Sequence, residues 1–442
     1  MKEPQENSRL KNLFRALRSR NYRLFYAGQG ISLIGTWMQQ VAMSWLVYRL
    51  TDSVFLLGMV AFAGQIPAFL LGPFAGVVSD RFNRHRTLIL TQTLSLVQAS
   101  TLAALVLTDH IAIWHILALS AFLGIINAFD IATRQAFVVE LVEKREDLSN
   151  AIALNSSLFN LARLIGPAVA GVIIAAVGEG LVFGLNAASY LAVIFSLTQI
   201  RLRPFVPSVE KRKVGQVLKE GFQYAFGFPP IRAVILQVAL VSLFGMPFSV
   251  LMPAVARDIL GGNANTLGFL MGASGVGALM GALYLASRQT VLGLGKIIIA
   301  ATIMFGAGLM AFAFSQTLWL SLVLLLLAGF GMMVQMASNN TILQTIVDDD
   351  KRGRVMSFYS MAFMGMAPIG GLLAGAVAEQ IGVTYTLFAS GVLVVLSVLP
   401  FASQLGRLRE LVRPIYQRQG ILPEVDETRE PAADVATPQE KR

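Results

Sequence analysis

QIPAFLLGPFAGVVSDRFNRHRTLILTQTLSLVQAS, residues 65–100, sets a charged knot between two apolar walls. Residues 76–86 alone carry one Asp and three Arg. The rest of the chain repeats the theme. Of 442 residues, 55% are hydrophobic and 14% charged, where a soluble protein carries about 25% charged residues. A spanning helix needs about 20 mostly apolar residues. Twelve segments qualify, at approximately 23–48, 54–79, 87–107, 112–137, 148–177, 181–200, 232–256, 266–287, 293–314, 317–340, 355–380 and 385–404. Only helices or closed barrels satisfy their backbone in lipid, and these runs are too long and continuous for barrel strands. The chain therefore reads as an all-α integral membrane protein with 12 transmembrane helices. The start, MKEPQENSRLKNLFRALRSRNYR, is too long and too charged for a cleaved signal, so the first apolar run reads as an uncleaved span.

Lys and Arg set the orientation. An even number of spans puts both ends on one side. That side holds the arm 1–22, the loop 80–86, EKRED (143–147), the linker 201–231, Arg288, Lys296, DDDKRGR (348–354) and the tail 405–442. The other side holds Arg49 and Arg257 against Asp52, Asp109, Glu179, Asp258 and Glu379. Both termini are therefore expected in the cytoplasm, with the chain in a bacterial-type inner membrane. The same bias accounts for the net charge of +10 without nucleic acid. The tail ends in PEVDETREPAADVATPQEKR, whose composition suits disorder.

The linker 201–231 is the longest gap. Its 214–227 stretch reads as an amphipathic helix. It divides the chain into two six-helix bundles, 23–200 and 232–404. The halves share a pattern: residues 135–178 align without gaps on 339–382, so Gly166, Gly171 and Gly178 fall on Gly370, Gly375 and Gly382. Parallel six-plus-six repeats are one plan of secondary transporters.

GVVSDRFNRHR (76–86) resembles the loop signature between helices 2 and 3 of the major facilitator superfamily. Gly76, Asp80, Arg81, Arg84 and Arg86 fill its slots, and Asn83 stands where Gly is usual. ARLIGPAVAG (162–171) resembles the fifth-helix motif of the superfamily's antiporters, through Gly166, Pro167 and Gly171. Residues 128–171, with GTWMQQVAMSWLVYRLT (35–51), resemble the bacterial efflux branch that contains the enterobactin exporter. One residue departs from the proton-coupled drug antiporters: Ser120 stands where they carry a helix-4 arginine.

The resemblance implies a conformational latch. Asp80 would cap the start of helix 11 near Gly353–Val355, and Arg84 would pair with Asp130. A carboxylate at a helix N-terminus is worth roughly 0.3–1 kcal/mol when exposed. The local alternative for Asp130 is an i, i+4 pair with Arg134. Asp130 is also the candidate for proton coupling.

Arg163 is the clearest anomaly. It lies about 22 Å into helix 5 at 1.5 Å per residue, past the bilayer midplane. A cation there needs a cavity or a partner. Asn155, Ser156 and Asn160 share its side of the helix, so it reads as a cavity residue that could face an anion. A structural Arg bonded to backbone carbonyls is the alternative. Gly166-Pro167 permits a bend or close packing. Other polar residues inside spans complete the pocket candidates: Trp37, Gln39, Gln40, Gln237, Gln335, Asn339 and Tyr359. Methionines at 332, 333, 336, 356, 361, 364 and 366 suit adaptable, partly apolar binding.

With three His and no Cys, no metal-spaced set exists, and no Gly-Lys-Ser/Thr nucleotide loop appears. No cofactor and no enzyme activity are expected. The resemblance implies a monomeric secondary carrier that exports a small amphipathic or anionic molecule, siderophore- or drug-like, by proton-coupled alternating access. A lysophospholipid carrier and a non-transporting protein of the same fold are the alternatives.

Overall fold

The computed structural model describes residues 14–202, 214–288 and 290–422. The side chains at 73, 77, 80, 145, 214–219, 349 and 350 lie outside the description. Six long helices come first: α1 (Arg20–Thr51), α2 (Val54–Arg81), α3 (Arg84–Leu107), α4 (Ile113–Leu141), α5 (Leu148–Val177) and α6 (Glu179–Thr198). A connecting helix α7 (Val214–Gly227) follows. The second set is α8 (Pro229–Gly245) with its continuation α9 (Phe248–Ala254), α10 (Ala264–Ala286), α11 (Leu294–Ala313), α12 (Leu318–Ile346), α13 (Asp349–Ile381) and α14 (Val383–Ser397). Two short helices close the described chain, α15 (Leu399–Ser403) and α16 (Leu405–Arg418).

Eleven spans among the described residues are long and apolar enough to cross a bilayer. The twelfth, α1, has the length, about 48 Å at 1.5 Å per residue. Its mean hydropathy is lowered by Arg20, Asn21, Arg23, Gln29, Gln39 and Gln40. It packs along α5 and α6 as a full member of the first bundle. The seventh span, expected as one helix over 232–256, is broken at Met246-Pro247 and ends in a π-helical turn over Val255–Ile259. Pro247 and Pro253 each remove a backbone donor, and the wider turn absorbs the misfit.

The tail 405–442, expected to be largely disordered, begins with a helix. Residues 405–418 form α16, which buries Leu408 and Val412 against α8 and α12. Apolar residues at 405, 408, 412, 415 and 416 give it one buried stripe. The expected amphipathic stretch at 214–227 is α7. It is held to the start of α13 by Glu220–Arg354 at 3.1 Å and by Tyr224 donating to Asp348 at 3.1 Å. The arm 1–13, the linker residues 203–213 and the segment 423–442 lie outside the described residues.

The two bundles meet along two antiparallel pairs, α2 with α13 and α5 with α10. Small residues set the approach. A Cβ on Gly58 would lie 2.6 Å from the Gly371 carbonyl, and one on Gly375 2.8 Å from that of Val54. One on Gly171 would lie 2.7 Å from the Ala264 carbonyl. The repeated glycines behave alike. Gly178 and Gly382 both end a span with positive φ, +83° and +87°, where an L side chain is strained. Gly166 abuts Ile34 and Trp37 of α1, and Gly370 abuts Leu243 of α8.

One end of the molecule carries the turns at 51–54, 107–113, 177–179, 259–264 and 313–318, and is called the far end here. There the hydrophobic core is continuous across both bundles, running from Met38 and Leu57 to Leu267 and Ala374. At the termini end it splits in two. One cluster belongs to the first bundle around Tyr22, Phe137 and Leu197, and one to the second around Val234, Leu343 and Leu408.

Gly58→Val and Gly171→Val place a branched side chain against rigid backbone, so each is expected to push the far ends apart. The chain has no cysteine, so spin labels at Asp109→Cys and Gln316→Cys report the gap directly. Double electron–electron resonance should show a longer far-end distance in both variants.

Candidate functional site

A cavity of about 390 Å³ lies between α1, α2, α4, α9 and α10. Helical spacing puts Thr36, Gln40, Met43 and Val47 on one stripe of α1. Gln65 comes from α2, Ser120 and Asn127 from α4, Ser249 from α9 and Met271 from α10. No residue of the lining is charged. Ser120 stands on this wall as a neutral hydroxyl.

Gln39 is fixed from behind. Asn186 of α6 donates to its Oε1 at 2.7 Å, and its own Nε2 donates to Gln98 Oε1 of α3 at 3.1 Å. Gln98 in turn donates to the Leu119 carbonyl at 3.3 Å. Gly35 makes room, since a Cβ there would lie 2.5 Å from Asn186 Oδ1. Each amide inside the bundle would otherwise lose roughly 1–3 kcal/mol as an unpaired polar group. Gln98 and Asn186 escaped the sequence reading, as did Gln65, Asn127 and Ser249. The signal was the one that found Gln39, a polar residue inside an apolar run.

Arg163 does not line this cavity. Its guanidinium lies 5.8 Å from the centroid of the Trp37 ring, on the neighbouring face of α1, and Phe159 meets the same ring edge-on at 5.7 Å. A cation over an indole is favourable, more so when desolvated. Among the described residues Arg163 makes no ion pair and no hydrogen bond. Asn160, one turn away, donates to the Ser156 carbonyl at 2.9 Å, and Asn155 is half-buried beside them.

Gln237, Gln335, Asn339 and Tyr359 are buried in the second bundle and are absent from the lining of this cavity; Trp37, Asn155, Ser156 and Asn160 are absent from it too. Tyr359 donates to the Met336 carbonyl at 3.0 Å, and Asn339 to the Gln335 carbonyl at 3.0 Å. Helical periodicity alone could not say which polar face turns inward. The methionines on the wall are Met43 and Met271 rather than the cluster from 332 to 366.

Asp130 is 2% exposed and fully answered. It accepts from Thr91 Oγ1 and Gln92 Nε2 of α3, both at 2.8 Å, and pairs with Arg134 on its own helix. The pairing of Arg84 with Asp130 is thus corrected. Arg84 pairs with Glu140 at 2.7 Å and donates to the Ser79 carbonyl at 3.2 Å. Asn83 has φ −65°, a backbone that needs no glycine, and its side chain caps α3 by accepting from Arg86 N at 3.1 Å. Arg81 and Arg86 are exposed. The Asp80 side chain lies outside the described residues, and Cβ atoms on Gly76 and Gly353 would meet nothing within 4 Å.

A set of hydrogen bonds joins the bundles at the far end. The Glu379 carboxylate of α13 accepts from the backbone of Val54 and Phe55, both at 3.1 Å, and from Ser53 Oγ at 3.3 Å. It caps the start of α2 from across the interface. Arg257 pairs with Asp52 at 2.5 Å, and Tyr48 donates to Asp258. Beside them Arg49 grips Glu179 within the first bundle, at 2.8 and 3.2 Å.

Asn186→Ala removes one partner of Gln39 and leaves its Oε1 buried and empty. A loss of about 1–3 kcal/mol is expected, read as an earlier thermal midpoint of the purified protein in detergent.

The fold is similar to those of solved transporters. A bacterial homologue of the lysosomal transporter Spinster, inward-facing and unoccupied, superposes with a TM-score of 0.66 at 14% identity, over 88% of this chain and 97% of that one. The staphyloferrin A transporter of Staphylococcus aureus is 24% identical, covering 84% of this chain and 92% of that protein. The multidrug efflux pump Tap of Mycolicibacterium fortuitum is 27% identical, covering 87% and 94%. Residues 12–416 match the family model described as transmembrane secretion effector, and the chain belongs to that family of the major facilitator superfamily.

Proposed function

We propose that this chain exports small, partly apolar molecules by alternating access, and that the state described here opens toward the cytoplasm. One observation carries the reading: the core is shared between the bundles at the far end and divided at the termini end. The charge bias of the loops supports both termini, and so the open end, lying on the cytoplasmic side. Residues 23–200 and 232–404 are the two bodies that rock, and 201–231 is the cytoplasmic linker between them. The relatives named for staphyloferrin A and multidrug transport support a siderophore- or drug-like substrate.

The cavity wall suits such a ligand. Amides and hydroxyls offer both donors and acceptors, and Met43, Val47, Leu57 and Met271 offer adaptable apolar contact. Arg163, beside Trp37 and off this wall in the state described, would supply a cation for ligands with an acidic group at another point of the transport cycle. In the outward state, Asp80 would approach the first turn of α13, which begins at Asp349 rather than near Gly353, as Glu379 now caps α2. Arg84 and Arg86 would stay on the same rim. Asp130 carries the coupling proton in this scheme.

Accumulation of candidate compounds in cells with and without the gene tests the proposal. Expression should lower accumulation of one or more neutral amphiphiles, and equal accumulation across a broad panel would reject export. Arg163→Gln is expected to slow efflux of anionic substrates by about tenfold, the effect of one charge-assisted hydrogen bond, and to spare neutral ones. Asp130→Asn should remove the dependence of transport on an imposed pH gradient; a full response in that variant would sink the coupling role. Glu379→Gln keeps the size of the cap and removes its charge. Its far-end distance distribution, from labels at 109 and 316, should gain a longer component.

A further inference from the structure

The second bundle has a groove of about 270 Å³ at the termini end, separate from the central cavity. Its floor is apolar, with Val234 of α8, Leu294 of α11, Ile342 of α12, Phe401 of α15, and Leu408 and Val412 of α16. Two charges border it, Arg409 and Arg413. They lie one turn apart on α16, at the edge of its buried stripe. Both are exposed, and among the described residues neither makes an ion pair or a hydrogen bond. The one acid of α16, Glu410, is absent from the lining.

The depth of the groove matters as much as its charge. The last span runs over Val383–Ser403, so α16 begins where the apolar slab ends. It then folds back onto the bundle, and Gln419 fastens its end by donating to the Thr345 carbonyl at 2.8 Å. Leu399 and Leu411 stay exposed on the lipid side. A helix that is apolar on one stripe and arginine-bearing beside it suits the headgroup boundary of a membrane.

We propose that this groove binds an anionic phospholipid, with its phosphate between Arg409 and Arg413 and an acyl chain on the apolar floor. A soluble anion would use the two arginines and leave the floor empty. Leu422, the last described residue, lies on the groove's rim, and Glu424, Asp426, Glu427, Glu430 and Asp434 follow it in sequence. That acidic segment is the rival occupant, but it carries few large apolar side chains to fill the floor. Basic pockets between helices on this side of a membrane are suited to anionic headgroups.

The test uses the full chain in nanodiscs of phosphatidylcholine and phosphatidylglycerol in equal parts, with native mass spectrometry of the lipid retained. The wild type should retain phosphatidylglycerol in preference to phosphatidylcholine. The double variant Arg409→Gln/Arg413→Gln should lose about thirtyfold of that preference, the effect of two interfacial arginines. Arg407→Gln/Arg418→Gln, on the opposite side of the same helix, should keep it. Added phosphatidylglycerol should raise the thermal midpoint of the wild type and leave that of the first double variant unmoved. Equal retention in both double variants would overturn the proposal. So would displacement by soluble glycerol phosphate, which would mean a free-anion site. A tenfold gain in lipid retention on truncation after Leu422 would also overturn it, since the tail would then be the resident.

Discussion

The carboxylate of Glu379 on the first amides of α2 is the contact from which the rest of the arrangement follows. The first backbone donors of a helix have no partner within it, and near lipid they cannot be left bare. Ser53 answers one, accepting from Leu56 N at 3.2 Å. Glu379 answers Val54 and Phe55, and it comes from the other bundle. A local need of one helix end thereby becomes a clasp between two bodies. Its strength is modest: a carboxylate at a helix start is worth about 0.3–1 kcal/mol, rising toward 2 when part-buried. The exposed Arg257–Asp52 pair adds at most about 1 kcal/mol. A closure of a few kcal/mol is the right size for a two-state element, firm enough to hold one pose and weak enough for a ligand to shift it.

The backbone symmetry of the halves makes the clasp possible, and their side-chain asymmetry gives it meaning. Gly171 meets α10 as Gly375 meets α2, and Gly178 and Gly382 turn the chain with nearly the same dihedrals. The repeated scaffold is therefore physical as well as textual. The charges do not repeat. In the alignment, Arg163 stands opposite Ala367 and Glu379 opposite Ala175, and the same offset sets Asp130, just before it, against Val334. The duplicated glycines position two equivalent hinges of contact, and the unpaired polar residues confine the chemistry to one side of each.

The span pattern was legible because lipid imposes a single rule on every segment, and a rule applied twelve times leaves a strong trace. The first helix tested that rule. Its amides and arginines lower its hydropathy, yet two of those amides, Gln39 and Gln40, line the site. The repeat was legible through glycine, where a missing side chain is required by a neighbour's backbone. Partner identity was not legible. Gln39 announces itself as an amide in an apolar run, but nothing in sequence tells it to meet Asn186, 147 residues away. Arg84 was assigned to Asp130 by resemblance and is found on Glu140, because Asp130 already had Arg134 one turn along its own helix. Gln335 and Asn339 carried the same signal as Gln40 and turned inward instead. A polar residue in a span says that it needs a partner, and only the packed bundle says whether the partner is a neighbour or a ligand.

The neutral cavity and the buried acid are joined by α4. Asp130 lies three residues from Asn127 on the cavity wall, less than one turn away. Its two donors on α3, Thr91 and Gln92, tie α4 to the helix that also carries Gln98, and Gln98 holds Gln39 in place. A proton on Asp130 would remove the charge that Arg134 answers and weaken the acceptor that Thr91 and Gln92 share. The α3–α4 contact would loosen beside the wall that faces the ligand. In the proposed scheme coupling needs no acid in the cavity: the charge would work one layer behind a wall of amides, leaving the wall itself free to accept ligands of different shape and charge.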